Sequence, residues 1–310
     1  MTKYFHYSLL IACSLLWSCQ TQTQETTTSG HITIVADESF SPIIDTQLQT
    51  FKSQYKDVFI RPVYMPEEEA IAYFLADSAR LVFSTRNLYP SEIKQLEAVK
   101  IFPKTNLVAT DAIALLVHPD NKDSLLTEKQ IKAMLEGTSQ QWSQLSKTNK
   151  AGEITMVFDH NASSNLRYMH EHFGIKGKTK GKIYAAGGHL KVIDYVKNNK
   201  NAIGVIGVNW VSDKDDPQML HFLKDIRVVG ISSKEKPSSE DEYFQPFQAY
   251  MATGDYPLTR KLYIISREPK TGLGTGFSAF VCSDKGQRII LKSGIYPANA
   301  PIRIIKLKKQ

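Results

Sequence analysis

Apolar positions along the chain fall into short β-branched runs separated by stretches with helical spacing. Ile32-Thr33-Ile34-Val35-Ala36 reads as a buried strand, and the polar turn Asp37 to Ser41 closes it. Pro42 predicts a helix start, where its missing N–H is no loss, with Ser41 as the N-cap; Ile43, Ile44, Leu48 and Phe51 then supply one apolar face. Val58 to Val63 reads as a second strand, Glu67 to Leu75 as a helix and Ala79 to Phe83 as a third strand, with Ser91 capping the next helix. Strand and helix in alternation predict an α/β sheet covered on both faces.

The middle of the chain continues the pattern. Asp111 to Val117 is a buried strand that ends in the turn residues His118-Pro119-Asp120-Asn121. Thr127 and Gln130 form a capping box, and Gly137 stops the helix they open. Ile154 to Phe158 is a strand, followed by the polar loop Asp159 to Asn165 and a helix from Leu166 to Phe173. Gly187-Gly188 precedes a helix from Leu190 to Lys197, and Ala202 to Trp210 is an apolar strand. Ser232 to Glu242 reads as an exposed excursion, Tyr263-Ile264-Ile265 as a strand, and Gly276 to Leu291 as one last helix with Cys282 as a buried thiol. No internal repeat is visible.

The first residues follow a different rule. Lys3 precedes an apolar stretch from Tyr7 to Trp17, too short for an ordinary membrane-spanning helix but of the right length for a secretory leader. It ends in Leu16-Trp17-Ser18-Cys19, which resembles a bacterial lipoprotein signal. Residues 1–18 are therefore expected to be removed, with Cys19 carrying the lipid, and the Thr- and Gln-rich residues 19–30 to act as a flexible tether. Hydrophobic residues make up 42% of the chain and charged residues 22%, which suits a globular body. The net charge of +7 is spread along the chain, apart from Lys306, Lys308 and Lys309 in the tail, which read as a solvated end. Export and the lack of a basic, aromatic-laced stripe argue against a nucleic-acid role.

Metal and catalytic signatures are weak. The three cysteines, Cys13, Cys19 and Cys282, show neither a disulfide framework nor zinc spacing. His170 and His172 sit on different faces of one helix. Asp159, His160 and Ser163 or Ser164 are neighbours in sequence, but no Gly-x-Ser-x-Gly elbow accompanies them. No cofactor, metal or enzymatic activity is expected.

Anion-binding chemistry has better candidates. A helix start offers unpaired N–H groups and the positive end of a dipole, and Ser and Thr hydroxyls add uncharged donors. Three polar loops beside helices or strands offer this: Ser39-Phe40-Ser41, Ser84-Thr85-Arg86, and Asn161-Ala162-Ser163-Ser164-Asn165. Arg86 adds a forked guanidinium.

These landmarks, in this order, resemble the phosphate-binding proteins of ABC importers. The resemblance rests on Ser39-Phe40-Ser41-Pro42, Ser84-Thr85-Arg86, Asp111 to Asn121, Leu126 to Ile131 with Gly137 and Trp142, Ala202 to Gly207, Tyr256 to Tyr263, and Phe280 with Ser283, Gly286 and Gln287. It implies a two-lobed periplasmic-binding-protein fold of type II, with residues 31–110 and 257–310 as lobe 1, residues 111–256 as lobe 2, and a ligand cleft between them. It further implies a monomer that binds phosphate or a related oxyanion for an ABC permease, through the Ser39 hydroxyl, the Phe40 backbone N–H, Ser84, Thr85, Arg86, Asn161, Ser163 and Ser164. Two features depart from the family pattern. Met156-Val157-Phe158-Asp159 stands where an arginine is common, and Glu67, Glu68 and Glu69 occupy an expected contact loop. A receptor-like interaction protein of a cell-envelope assembly, with an altered or lost site, is the alternative.

Overall fold

The structure, a computed structural model, describes residues 25–212 and 224–299. The leader, Cys19 and the C-terminal lysines lie outside the described residues. No described helix is long and apolar enough to cross a membrane.

The chain enters through β1 (Gly30–Asp37), α1 (Ser41–Gln54), β2 (Val58–Met65), α2 (Glu67–Leu75), β3 (Leu81–Ser84) and α3 (Pro90–Ala98). The long β4 (Lys104–Val117) leads to β5 (Leu125–Thr127), α4 (Glu128–Leu135), the one-turn α5 (Trp142–Leu145), β6 (Thr155–Phe158) and α6 (Ser164–Phe173). Next come β7 (Ile183–Ala185), α7 (His189–Asn198), β8 (Ala202–Gly207), β9 (Arg227–Val228) and β10 (Gly230–Ser232). The chain returns through α8 (Gln248–Thr253), β11 (Thr259–Ser266), α9 (Leu273–Cys282), α10 (Asp284–Lys292) and β12 (Tyr296–Pro297).

The main sheet runs β2-β1-β3-β11-β4-β8-β6-β7, with β12 and β9 also paired to β4. Its two halves meet in β4. From Lys104 to Ala112 this strand pairs antiparallel with β11, and from Ile113 to Val117 it pairs antiparallel with β8. The first lobe gathers β1, β2, β3 and β11, and the second gathers β8, β6 and β7. Within each lobe the non-crossing strands are parallel, β1 with β2 and β3, and β6 with β7 and β8. Parallel α/β sheets present ligand crevices at the carboxyl ends of their strands. Asp37 ends β1, Ser84 ends β3, Asp159 follows β6 and Gly207 ends β8, so polar residues collect at one boundary.

Local chemistry moves several expected boundaries. The Asp37 side chain accepts from the Ser39 N–H at 3.0 Å, and a 3-10 turn, Glu38–Phe40, forms ahead of α1. Ser41 is therefore inside the helix rather than its cap. For α3 the first-turn device is Glu92, which accepts from the Tyr89 N–H at 2.6 Å, with Pro90 at the first helical position; Ser91 is not the cap. The expected single last helix is two, because Ser283 is extended (φ −75°, ψ 167°) and caps α10. Residues 25–30, expected in the tether, pack on the body. The Glu25 carboxylate accepts from the Leu273 N–H at 3.1 Å at the start of α9, where negative charge is favourable.

Helix α7 lies on β8 through Val192, Val196 and Gly204, with no space for a side chain at the glycine: a Cβ there would sit 2.8 Å from Val196 Cγ2 and 2.9 Å from Val192 Cγ1. Gly204→Val should cost about 1–3 kcal/mol by overpacking, read as a lower urea midpoint with an unchanged slope.

Candidate functional site

The polar seam between the lobes is built from strand ends and helix starts. Arg260, at the second position of β11, is its centre and is 4% exposed. Its Nε donates to Asp111 Oδ2 at 2.9 Å, and its Nη1 donates to Ser164 Oγ at 3.0 Å. Its Cζ lies 5.2 Å from the Phe40 ring centre. One side chain thus joins the crossing strand, the first turn of α6 and the segment that opens α1.

A second junction is centred on Glu67, the first residue of α2. Its Oε1 accepts from Ser84 Oγ at 3.0 Å, from Thr85 Oγ1 at 2.6 Å and from the Thr85 N–H. Its Oε2 accepts from Arg167 Nε at 2.8 Å, and Arg167 Nη2 also donates to Thr85 Oγ1 at 2.7 Å. Arg167 belongs to α6, so this ion pair crosses the cleft. At a third point, the Ser39 carbonyl accepts from Asn209 Nδ2 and Trp210 Nε1, each at 2.9 Å. Gly207 permits that approach, since a Cβ there would lie 2.7 Å from Asn209 Oδ1.

The eight expected ligand residues have distinct placements. Ser39 and Phe40 are fully buried at the seam, and Ser39 Oγ has no partner among the described residues. Ser84 and Thr85 are buried and satisfied by Glu67. Arg86 is buried but turned onto its own lobe: its guanidinium donates to both oxygens of Glu68 and of Glu92 and to the Asn87 carbonyl, and it stacks on Tyr89 at 3.8 Å. Ser164 is buried against Arg260. Ser163 caps α6 and donates to Asp159 Oδ1, while Asn161 is exposed. For the imagined hydrolytic group, this leaves Ser163 bonded directly to Asp159 and His160 Nε2 turned to Glu38 Oε1 at 2.7 Å.

Asp37, Asp111, Arg167, His189, Asn209 and Arg260 also form the seam, and sequence reasoning did not select them. The arginine common just before the Asp159–Asn165 loop is absent, and Arg167 and Arg260 bring guanidiniums to this boundary from other elements. The only sequence signal was the position of Arg260 inside Tyr256 to Tyr263.

Charge is unevenly matched. Among the described residues, the carboxylates of Asp37, Glu38, Glu67, Asp111 and Asp159 gather at this boundary; Glu67 pairs with Arg167 and Asp111 with Arg260, while Glu38 and Asp159 meet imidazoles. Burial, and then the charge of Glu67, push Asp37 up to about 6, against the pull of Arg260. Burial also raises Asp111 and Glu38. It lowers His189 to about 4, leaving that imidazole neutral at neutral pH. Glu67 goes the other way: burial opposes its ionisation, but Arg167 and the Thr85 donors outweigh it and hold the carboxyl below its ordinary range. Unpartnered polar atoms gather at this boundary too: Asp37 Oδ2, Ser39 Oγ, Asp111 Oδ1, Arg260 Nη2, Asn209 Oδ1 and both His189 ring nitrogens. A recess of about 270 Å³, lined in part by Glu38, Ser41, Gly187, His189 and Trp210, opens beside it.

Such an arrangement is that of a two-lobed α/β fold whose lobes meet along a buried polar seam. Residues 21–285 match the model of the PBP superfamily domain, and the chain belongs to that family. The phosphate-binding protein PstS of Pseudomonas aeruginosa is 24% identical over 88% of this chain and 85% of its own. PstS of Staphylococcus saprophyticus is 24% identical over 83% and 77%. A Clostridium perfringens chain assigned as the substrate-binding protein of a phosphate ABC transporter, with phosphate bound, superposes with a TM-score of 0.71 at 22% identity, covering 87% of this chain and all of that one. A phosphate transport receptor from Vibrio cholerae gives 0.65 at 19% identity, over 86% of this chain. The solved structures carry the expected type II fold.

Because the folded carboxyl of Glu67 ionises below its ordinary value of 4.5, its contribution is present above that pH and is lost as pH falls through the lowered value. Glu67→Gln should remove that acid-side loss and destabilise the protein by about 3 kcal/mol at neutral pH, since Arg167 loses its buried partner. Urea unfolding of both proteins from neutral pH down through the carboxylate range measures each effect.

Proposed function

We propose that the protein is a solute-binding receptor for an ABC-type importer and takes a small oxyanion, phosphate first, at the seam around Arg260. One observation carries the reading. The Ser39 hydroxyl is wholly buried without a partner, in the segment that also presents Phe40 to Arg260, whose own Nη2 is unpartnered. Buried donors are ordinarily satisfied, so an unspent hydroxyl and guanidinium N–H beside Ser164 favour an anionic guest. Asp37 Oδ2 adds an unspent acceptor. Phosphate at neutral pH carries a proton to donate to it, whereas sulfate does not. The names of the curated relatives agree with this choice. In this reading the lobes are residues 31–110 with 257–310, and 111–256, the receptor is a monomer, and the hinge lies where β4 exchanges β11 for β8.

Isothermal titration with phosphate, sulfate and molybdate in an otherwise anion-poor buffer tests the ligand. Phosphate should give a saturable heat, and Ser39→Ala should weaken it about tenfold while leaving the melting temperature unchanged, because this hydroxyl makes no internal bond. Absence of heat with phosphate would sink the reading. A specific observation then favours the second one, an interaction protein of an envelope assembly: Glu68 and Glu92 already hold Arg86, and Glu67 fills the Ser84, Thr85 and Arg167 donors with the chain's own carboxylate.

In the same reading the receptor sits on the extracytoplasmic face, held by a lipid; the apolar leader ending in Leu16-Trp17-Ser18-Cys19 supports this. Cys19→Ala should move the protein from the membrane fraction to the soluble fraction after cell lysis. Equal membrane retention of both would remove the anchor.

A further inference from the structure

We propose that Glu38, Asp159 and His189 form a site for a divalent transition-metal ion of the zinc class, bridging the two lobes. Glu38 follows β1 in the first lobe, whereas Asp159 and His160 follow β6 and His189 opens α7 in the second. One ligand atom from each of Glu38, Asp159 and His189 falls within a common 4.8 Å. His189 Nε2 is 3.8 Å from Asp159 Oδ2 and 4.0 Å from Glu38 Oε1, and His160 Nε2 is 2.7 Å from that same Glu38 oxygen.

The separations decide between two chemistries. At 3.8 and 4.0 Å, the His189 nitrogen is too far from either carboxylate for a hydrogen bond. Ligand atoms around a tetrahedral zinc, with bonds of about 2.0–2.2 Å, stand roughly 3.4 Å apart, so the His189 nitrogen is already close to a ligand's distance from each carboxylate. His189 is 4% exposed, and neither ring nitrogen has a partner among the described residues. An imidazole buried in this way ordinarily has its nitrogens satisfied, and Nε2, which faces both carboxylates, is the one open to an occupant there.

The surroundings hold the ligands in place. Asp159 Oδ1 accepts from Ser163 Oγ and from Asn165 Nδ2, the latter at 3.2 Å, which leaves Oδ2 turned to His189. The Asp159 carbonyl accepts from the Gly187 and Gly188 N–H groups at 2.7 and 3.1 Å, fixing the loop ahead of His189. The imidazole stacks on Trp210 at 4.8 Å and 19°. Such outer contacts orient ligands and are part of a working metal site. An imidazole with two carboxylates suits zinc and its neighbours better than calcium or magnesium, which prefer all-oxygen shells. A bound dication also offsets the carboxylate excess at the seam, and because its ligands come from both lobes it favours the closed cleft.

The site is independent of the phosphate reading and is tested without phosphate. The purified chain, stripped with chelator, is dialysed against micromolar free zinc and its metal content measured. About one zinc per chain is expected, with cobalt(II) giving the visible band of a four- or five-coordinate nitrogen–oxygen site. His189→Gln and Asp159→Asn, which keep side-chain size, should each weaken zinc by about 100-fold or more, while His118→Ala changes nothing. A wild-type chain that retains no zinc overturns the proposal. So does zinc retention by folded His189→Gln that is lost instead in a His170→Ala, His172→Ala variant, which places the metal on the α6 surface.

Discussion

The buried pair of Arg260 and Asp111 is the constraint on which the rest of the molecule depends. Both residues are almost fully buried, 2.9 Å apart, at the place where β4 passes from one lobe to the other. Taking a guanidinium and a carboxylate out of water is costly, and their attraction repays this only with good geometry and further hydrogen bonds. Arg260 obtains one from Ser164 in the second lobe and a cation–ring contact from Phe40 in the first. The pair therefore fixes both walls of the cleft relative to the strand that crosses it. It also leaves Arg260 Nη2 and Asp111 Oδ1 unspent. An ion pair kept only for cohesion would have little reason to hold donors and acceptors in reserve.

Around that centre the cleft supplies much of its own closure. Glu67 draws Arg167 across the boundary while binding Ser84 and Thr85 on its own side. The carboxylate occupies an array of hydroxyl, amide and guanidinium donors suited to an oxyanion. Glu67 and Glu68 are therefore spent on the chain's own donors. Glu67 engages the donors beside Ser84, and Glu68 occupies Arg86. In the proposed reading, the space left for an outside anion contracts towards Ser39, Ser164 and Arg260, and contact between the lobes draws on partly different side chains from the anion.

Local rules were legible in the sequence, and distant ones were not. The capping box of Thr127 and Gln130 and the bounds of the Glu67–Leu75 helix follow from spacing alone, because both depend on residues within a turn or two. The buried strand from Asp111 onwards was equally plain, for ten consecutive positions of β4 are buried. The start of α1 was misplaced because Asp37, a strand residue, binds Ser39 and begins a 3-10 turn. Arg86 looked like the cleft cation because it follows β3, but nothing local shows that Glu68 and Glu92 converge on it. Arg260 and Arg167 were missed for the complementary reason, since their partners lie 149 and 100 residues away. His189 was hidden in the same way: His170 and His172 drew attention by their spacing, while His189 meets Glu38 and Asp159 only through the fold.

An anion bound as proposed would enter a seam rich in carboxylates. Coulomb energies at short range in a poorly screened interior are large, so five carboxylates beside only two arginines would be prohibitive if all were charged and unpaired. They are not equivalent. Glu67 and Asp111 are neutralised by the guanidiniums they bind. Burial pushes Asp37 up to about 6, which makes it a readier proton acceptor than an ordinary carboxylate. Glu38 and Asp159 are left, beside His160 and the neutral His189, as the uncompensated part. That residue of negative charge is local and has imidazole nitrogens at its edge. A cation there and an anion beside Ser39 would therefore relieve each other, each making the other's desolvation less costly.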